Sequence, residues 1–330
     1  MLANNNEAII NKLAKNSVKT NKKQYAILFF TIILSAFMLF CVFTIGMTYL
    51  DSSRLQNTRL NGAEYDILTM NGFTSEQLNT LRQNENIRSV GIESYAGFIQ
   101  STEYDKTVEI GLLWCDEVFW DNLMSPARTK LDGHYPQNKN ELMVTKDILK
   151  TCGNENLSVG DSLILTYENN TGVYTDEFII SGIWDGYGDT SAGFVSKAFY
   201  DETGYDLKND GILCIKLNRN YVFPATIQSI EKSLDFSDRQ IFAPTGYIEN
   251  SFKLLLGICG LALVICLSAY LLIYNILYLS VSGKIRYYGL LQSLGMTKKQ
   301  LVHFIIKQMI LVGILGIFIG NLLGIILCMK

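Results

Sequence analysis

The side chains with which this chain could do acid–base, nucleophilic or metal chemistry are few and scattered. There are two histidines, His134 and His303, and seven cysteines in 330 residues. A general base needs partners within hydrogen-bond reach, and no Ser/His/Asp order surrounds either histidine. Cys41, Cys259, Cys266 and Cys328 lie in apolar runs, where a thiol packs as a small hydrophobe. Cys115, Cys152 and Cys214 are an odd set without close spacing, so at most one disulfide is open to them and no framework is implied. No CxxC or Cys/His spacing suits a metal. "WDGYGDTSAG" (184–193) offers Asp185 and Asp189 but too few further oxygens for calcium, and reads as a glycine-rich turn. No glycine-rich loop ends in Lys-Ser/Thr, so this chain is expected to bind no ATP itself. Catalysis is not expected here, and no cofactor.

The charges say more. Residues 51–252 hold 30 of the 31 acidic residues and 16 of the 28 basic ones, and Glu7 is the one acid elsewhere. Segregation of this kind points to membrane topology rather than to nucleic acid. Residues 24–50, 254–283 and 308–329 carry no Asp, Glu, Lys or Arg. Each is long enough to cross a bilayer as a helix, which takes about 20 apolar residues. The first is too long for a signal peptide and no small-x-small cleavage site follows it, so a retained anchor is expected. Lys12, Lys15, Lys19, Lys22 and Lys23 precede it, and Lys284, Arg286, Lys298, Lys299 and Lys307 flank the later loop. Such short basic flanks stay cytoplasmic.

The expected fold is membrane α-helical with an α+β extracytoplasmic domain between the first and second of three spans. Its segments are 1–23 (cytoplasmic, amphipathic), 24–50 (first span), 51–252 (external domain), 253–281 (second span), 282–300 (cytoplasmic helix and turn) and 301–329 (third span). The abrupt ending suggests that further spans belong to the complete protein. In 7–20, Ile9, Ile10, Leu13 and Val18 lie near one face with lysines opposite. Two readings stand: a helix lying in the membrane interface, or a polar cap that only fixes topology. In the external domain, "TSEQLNTLRQ" (74–83) reads as a capped helix and "ATIQSIEKSL" (225–234) as an amphipathic one. "SVGIESYAGFIQ", "KTVEIGLLW" and "GILCIKL" read as strands, and "DSLILTYENNTGVYTDEFIISGIW" as a hairpin.

"KIRYYGLLQSLGMTKKQL" (284–301) lies between the second and third runs, with basic residues and no acid. Ile285, Tyr288 and Leu291 share one helical face, continued by Leu294. Gly295 fits a left-handed C′ position, and Thr297 with Gln300 fits a capping box that starts the next helix at Lys298. Periodicity leaves two readings even: a connector whose lysines set topology, or a docking helix. In the third run, Gly313 precedes Gly316, Gly320 and Gly324, whose GxxxGxxxG face admits a second helix closely.

This loop resembles the one after the second span of FtsX/MacB-like ABC transporter permeases, with Arg286, Gly289, Leu290, Leu294, Gly295 and Leu301 in register. Tyr287 stands where many members carry Glu. "GHYPQNKNELMVTKDILK…LSVGDSLIL…EFIISGIW" is similar to that family's external core domain, matching at Gly133, Pro136, Glu141, Gly160, Asp161 and Gly182. The resemblance implies a bacterial plasma-membrane permease acting in pairs, with a second copy or homologous half. Its motion would be driven by a cytoplasmic ABC ATPase dimer that binds ATP and Mg, transmitted mechanically to the external domain, and it would have a fourth span that this chain lacks. It implies that Ile285, Tyr288 and Leu291 are buried against the ATPase, within a contact set of Lys284, Ile285, Arg286, Tyr288, Gly289, Leu290, Leu291 and Gly295. Lys284 and Arg286 would meet acidic groups or membrane lipids. Export, extraction or resistance to a peptide, antibiotic or lipid all fit the resemblance. The alternatives are a membrane-anchored receptor or regulator of wall enzymes, and a membrane-bound hydrolase, which lacks a catalytic constellation.

Overall fold

The computed structural model describes residues 7–100, 110–187 and 192–328. The chain divides into a helical unit, Met1–Tyr49 with Leu254–Lys330, and a sheet unit, Leu50–Lys253. It opens with α1 (Glu7–Thr20) and α2 (Lys22–Asn61), whose last dozen residues already belong to the sheet unit. Next come β1 (Ile67–Met70), α3 (Ser75–Gln83), β2 (Ile87–Ile99) and β3 (Ile110–Cys115). A wide π-type turn, Val118–Leu123, leads to β4 (Arg128–Gly133), β5 (Glu141–Thr145) and α4 (Lys146–Thr151). The hairpin of β6 (Ser162–Asn169) and β7 (Gly172–Gly186) is followed by β8 (Ala192–Val195) and the short α5 (Lys197–Tyr200) and α6 (Leu207–Asp210). The domain ends with β9 (Ile212–Leu217), α7 (Pro224–Lys232) and β10 (Ile241–Pro244). The chain returns through α8 (Gly246–Ser282), then α9 (Ile285–Ser293) and α10 (Lys298–Cys328). By length and composition α2, α8 and α10 are each able to cross a membrane.

Local chemistry accounts for many of these boundaries. Thr74 Oγ1 accepts the Gln77 amide N–H at 3.2 Å, and Gln77 Oε1 accepts that of Thr74 at 2.9 Å, so two otherwise unpaired donors are satisfied at the start of α3. Asn169 Oδ1 accepts from the amides of Thr171 (2.9 Å) and Gly172 (3.2 Å), which turns β6 into β7. The residues matched to the family's external domain do similar work. Glu141 Oε2 accepts the amides of Gln137 (2.7 Å) and Asn138 (3.1 Å), Asp161 Oδ2 that of Ser158 (2.8 Å), and Gly133 pairs with Gly182 across β4 and β7. They shape turns; none is grouped as a ligand site. Asp185 lies in β7, while Asp189 and the first residues of "KTVEIGLLW" lie outside the described residues.

The sheet runs β10-β1-β9-β2-β3-β8-β5-β7-β4, and β6 pairs with both β7 and β2. That extra pairing closes β2, β3, β8, β5, β7 and β6 into a ring, while β9, β1 and β10 continue as an open flank. Strand β2 serves both parts. Residues 87–93 pair with β9, a bulge follows between Tyr95 and Gly97, and Phe98 and Ile99 pair with β6. Gly97 has φ 156°, and a Cβ there would lie 2.7 Å from the Glu168 carbonyl oxygen, so only glycine lets β6 approach.

One core packs α3, α4 and α7 on the sheet through Leu81, Ile148, Ile227 and Ile230, and takes in Tyr247 and Ile248 from the start of α8. A second gathers Trp120, Tyr135, Trp184 and Phe194, with Trp120 5.0 Å from Tyr135 and 5.3 Å from Phe194 between ring centroids. Cys115 and Cys214 are buried free thiols whose pKa values burial pushes up; Cys152, the third external cysteine, is free as well.

Buried charge is concentrated where the domain joins its two long helices. Lys216, 4% exposed, places Nζ 3.2 Å from Asp66 Oδ2 and 3.1 Å from Glu64 Oε1, and Arg54 of α2 reaches Glu64 at 3.4 Å. Asp66 also accepts the Leu217 amide at 2.9 Å, and its carbonyl takes the N–H of Thr245, next to α8, at 2.8 Å.

Among the described residues Glu93 has no such partner. Desolvation alone pushes its carboxyl from the usual 4.5 up to about 7. The folded state therefore binds this proton more tightly than the unfolded one. Its contribution to stability is full below pH 4.5 and is lost as pH rises to about 7. Between those limits wild type should lose about 2–3 kcal/mol more than Glu93→Gln. Denaturant titrations followed by tryptophan fluorescence check this, since all three tryptophans lie in the sheet unit.

Candidate functional site

Within the helical unit, the segment between α8 and α10 is a short helix closed at its C-terminus. At its C-terminus the Met296 amide donates to the Leu291 carbonyl (3.1 Å) and the Gly295 amide to that of Gln292 (3.0 Å). Gly295 has φ +100°, so this is a Schellman turn built on glycine. Directly after it, the Thr297 amide donates to Gln300 Oε1 (3.0 Å) and the Gln300 amide to Thr297 Oγ1 (3.3 Å), which starts α10 at Lys298. The turn is thus set by residues within ten positions, Leu291 to Gln300.

The faces of α9 depart from the expectation. Tyr288 is only 8% exposed and packs with Ile10 and Ala14 of α1 and Phe304 of α10, with Leu291 partly buried beside it. Burial pushes the Tyr288 phenol up to about 12. Tyr288 is therefore not free to be buried against a partner: the chain's own α1 packs on it. Ile285 and Leu294, expected on the same face, are instead 65% and 77% exposed, as is Leu290 at 59%. Arg286, Gly289 and Gly295 are also exposed. Lys284 needs a second correction. Its ammonium is buried without a hydrogen-bond partner among the described residues and lies 5.4 Å from the Tyr25 ring centroid. Burial lowers its pKa, and its ammonium faces the Tyr25 ring rather than an acid among the described residues.

The glycine stripe of α10 divides in the same way. A Cβ on Gly316 would lie 2.8 Å from Ile32 Cγ2, one on Gly320 2.6 Å from the Ile33 carbonyl oxygen, and one on Gly324 against the Phe40 ring. These three let α10 lie on α2. Gly313 is the exception, with nothing within 4 Å of a Cβ built there. Between α2 and α10, Tyr25 donates a short hydrogen bond to Gln308 Oε1.

Three features escaped the reading from sequence. Glu7 Oε1 lies 3.6 Å from His303 Nε2 and 3.7 Å from Lys307 Nζ, so α1 is tied to α10. Gly46 plays for α2 and α8 the part that Gly320 plays for α10, a Cβ there falling 2.6 Å from Ile258 Cδ1. Tyr270, Tyr274 and Tyr278 stack at 6.2 and 6.3 Å along an exposed stripe of α8. Their i, i+4 spacing was the available signal. Gly320→Leu should wedge α10 from α2 at a cost of about 2 kcal/mol or more, read as a lower unfolding midpoint in detergent, whereas Gly313→Leu should leave it unchanged.

Residues 259–329 match the family model for the FtsX-like permease C-terminal domain. Among curated proteins, none matches the chain. Among solved structures it is similar to the periplasmic region of MacB from Actinobacillus actinomycetemcomitans. That similarity has a TM-score of 0.39 and 12% identity, over 59% of this chain and 95% of that one. It is also similar to the extracellular domain of the ABC-type transporter YknZ from Gram-positive bacteria, with a TM-score of 0.35 and 12% identity, over 54% of this chain and 98% of that one. The matched family segment takes in most of α8, all of α9 with its C-terminal turn, and α10 with its glycine stripe. That C-terminal segment of the chain is therefore similar to the C-terminal domain of FtsX-like permeases.

Proposed function

We propose that this chain transmits the motion of a separate cytoplasmic ABC ATPase to its sheet domain on the other face of the membrane. The observation that carries this reading is the outer edge of α9. A nine-residue helix, capped at its C-terminus and held between two long apolar helices, exposes Ile285, Leu290 and Leu294 with Arg286 among them. Apolar side chains on a rigid element, next to a basic group and with no acid nearby, suit an apolar groove rimmed by carboxylates. The basic flanks support an inside N-terminus and loop, and an outside residue range 51–252. ATP and Mg belong to the partner in this reading, and a second permease copy completes the assembly.

Mechanical transmission is further supported by the continuity of α2 and α8. Each is one unbroken helix with residues in both units. What the domain acts on outside, whether a peptide, antibiotic or lipid, is left to experiment. A second reading, a sensor of external ligands, draws on one observation. A polar cavity of about 430 Å³ in the sheet unit is lined by Asn71, Gln77, Lys208, Asp235, Arg239 and Gln240.

Co-purification with a cytoplasmic ABC ATPase co-expressed from the same genome tests the docking edge. Leu290→Asp and Leu294→Asp should each weaken capture by at least about 2 kcal/mol, roughly thirtyfold, while the chain stays membrane-inserted. Undiminished capture by both variants would leave α9 a connector and favour the sensor.

A further inference from the structure

We infer that α1 is a bracket that holds α9 in its docking position, so that engagement of the partner on α9 depends on the N-terminal helix; this rests on the docking reading above. Glu7 is the one acidic residue of the helical unit, which otherwise carries only basic charges. It lies against His303 and Lys307, one turn apart on α10. Ile10 and Ala14 follow at three and seven positions from Glu7, on the same face of α1, and are 8% and 3% exposed. They cover Tyr288 of α9 and Phe304 of α10, and Phe304 is completely buried. Leu13, Val281, Leu291, Leu301 and Ile305 pack around this centre. One apolar cluster thus joins α1, the end of α8, α9 and α10, and the Glu7 contacts set the register of α1 on it.

Alone, α9 cannot hold its place. Nine residues are too few for a stable isolated helix, and its start lacks a side-chain cap. The inward anchor it has is Tyr288, and α1 supplies half of the socket. With α1 removed, Tyr288 and Phe304 would face water, and the exposed edge of Ile285, Leu290 and Leu294 would lose its fixed orientation. The lysines of α1, Lys12, Lys15 and Lys19, are all exposed and so give a direct readout of whether the helix is seated.

The test uses the full chain in lipid nanodiscs, with limited trypsin digestion at those lysines and capture of a cytoplasmic ABC ATPase co-expressed from the same genome. Ala14→Asp puts a carboxylate into the apolar socket. Cleavage should rise about tenfold and capture fall by a similar factor. Glu7→Lys should move both readouts in the same direction by about two- to fivefold, and adding Lys307→Glu should restore both. Trypsin protection unchanged by Ala14→Asp would overturn the bracket, since α1 would then not be seated. Capture that survives Ala14→Asp and Glu7→Lys but is lost on Leu290→Asp would overturn the bracket and leave the docking edge standing. Capture indifferent to all three would overturn the docking reading, and with it the bracket as its control.

Discussion

Burying an ammonium costs least where carboxylates face it, and Lys216 meets two of them beside the end of α2 and the start of α8. Its partners Asp66 and Glu64 lie just after α2, and Arg54 within α2 extends the chain of charges. Asp66 then ties the strand that follows α2 to β9 through Leu217, and to the residue before α8 through Thr245. Removing one member of such a pair strands a charge, at about 3–5 kcal/mol. Arg59 stacked on the Tyr187 ring at 4.2 Å and Tyr247 set into the core reinforce the end of α2 and the start of α8 separately.

The helical unit is organised by the opposite means. Its contacts come from small residues and one polar pair rather than from buried charge. Gly316, Gly320 and Gly324 bring α10 onto α2, Gly46 brings α8 onto α2, and Tyr25 meets Gln308 between them. Where lipid supplies no hydrophobic drive, close backbone approach and a satisfied polar pair are the available sources of helix association. At one end of the unit the principle changes again: Tyr288 and Phe304 form an ordinary apolar socket that α1 closes. The exposed edge of α9 is the face left over once that socket is filled.

How much of this was legible in the sequence depended on the range of the interaction. The capped start of α3, the hairpin at Asn169–Gly172 and the Gly295 turn followed by the Thr297–Gln300 box are all decided within a few residues, and their chemistry is written in the order of side chains. The face of α9 was not. Periodicity grouped Ile285 with Tyr288 and Leu291, but which of them turns inward depends on α1, nearly three hundred positions away. The continuation of α2 into polar residues 51–61 was hidden for a related reason, because loss of apolar character marks the end of a run and not the end of a helix. Ring closure by β6 on β2, and the pairing of Lys216, rest on tertiary register that no local pattern encodes.

The central claim, that the outer edge of α9 receives the ATPase, is tested most directly by site-specific photo-crosslinking. A benzophenone side chain would be placed in turn at positions 284 to 301 of the full chain and irradiated with the partner ATPase present. Adducts to the ATPase at 285, 290 and 294, with adducts at 288 and 291 confined to this chain itself, are the predicted result. Adducts to the ATPase at 288 and 291, or none anywhere along α9, would contradict it.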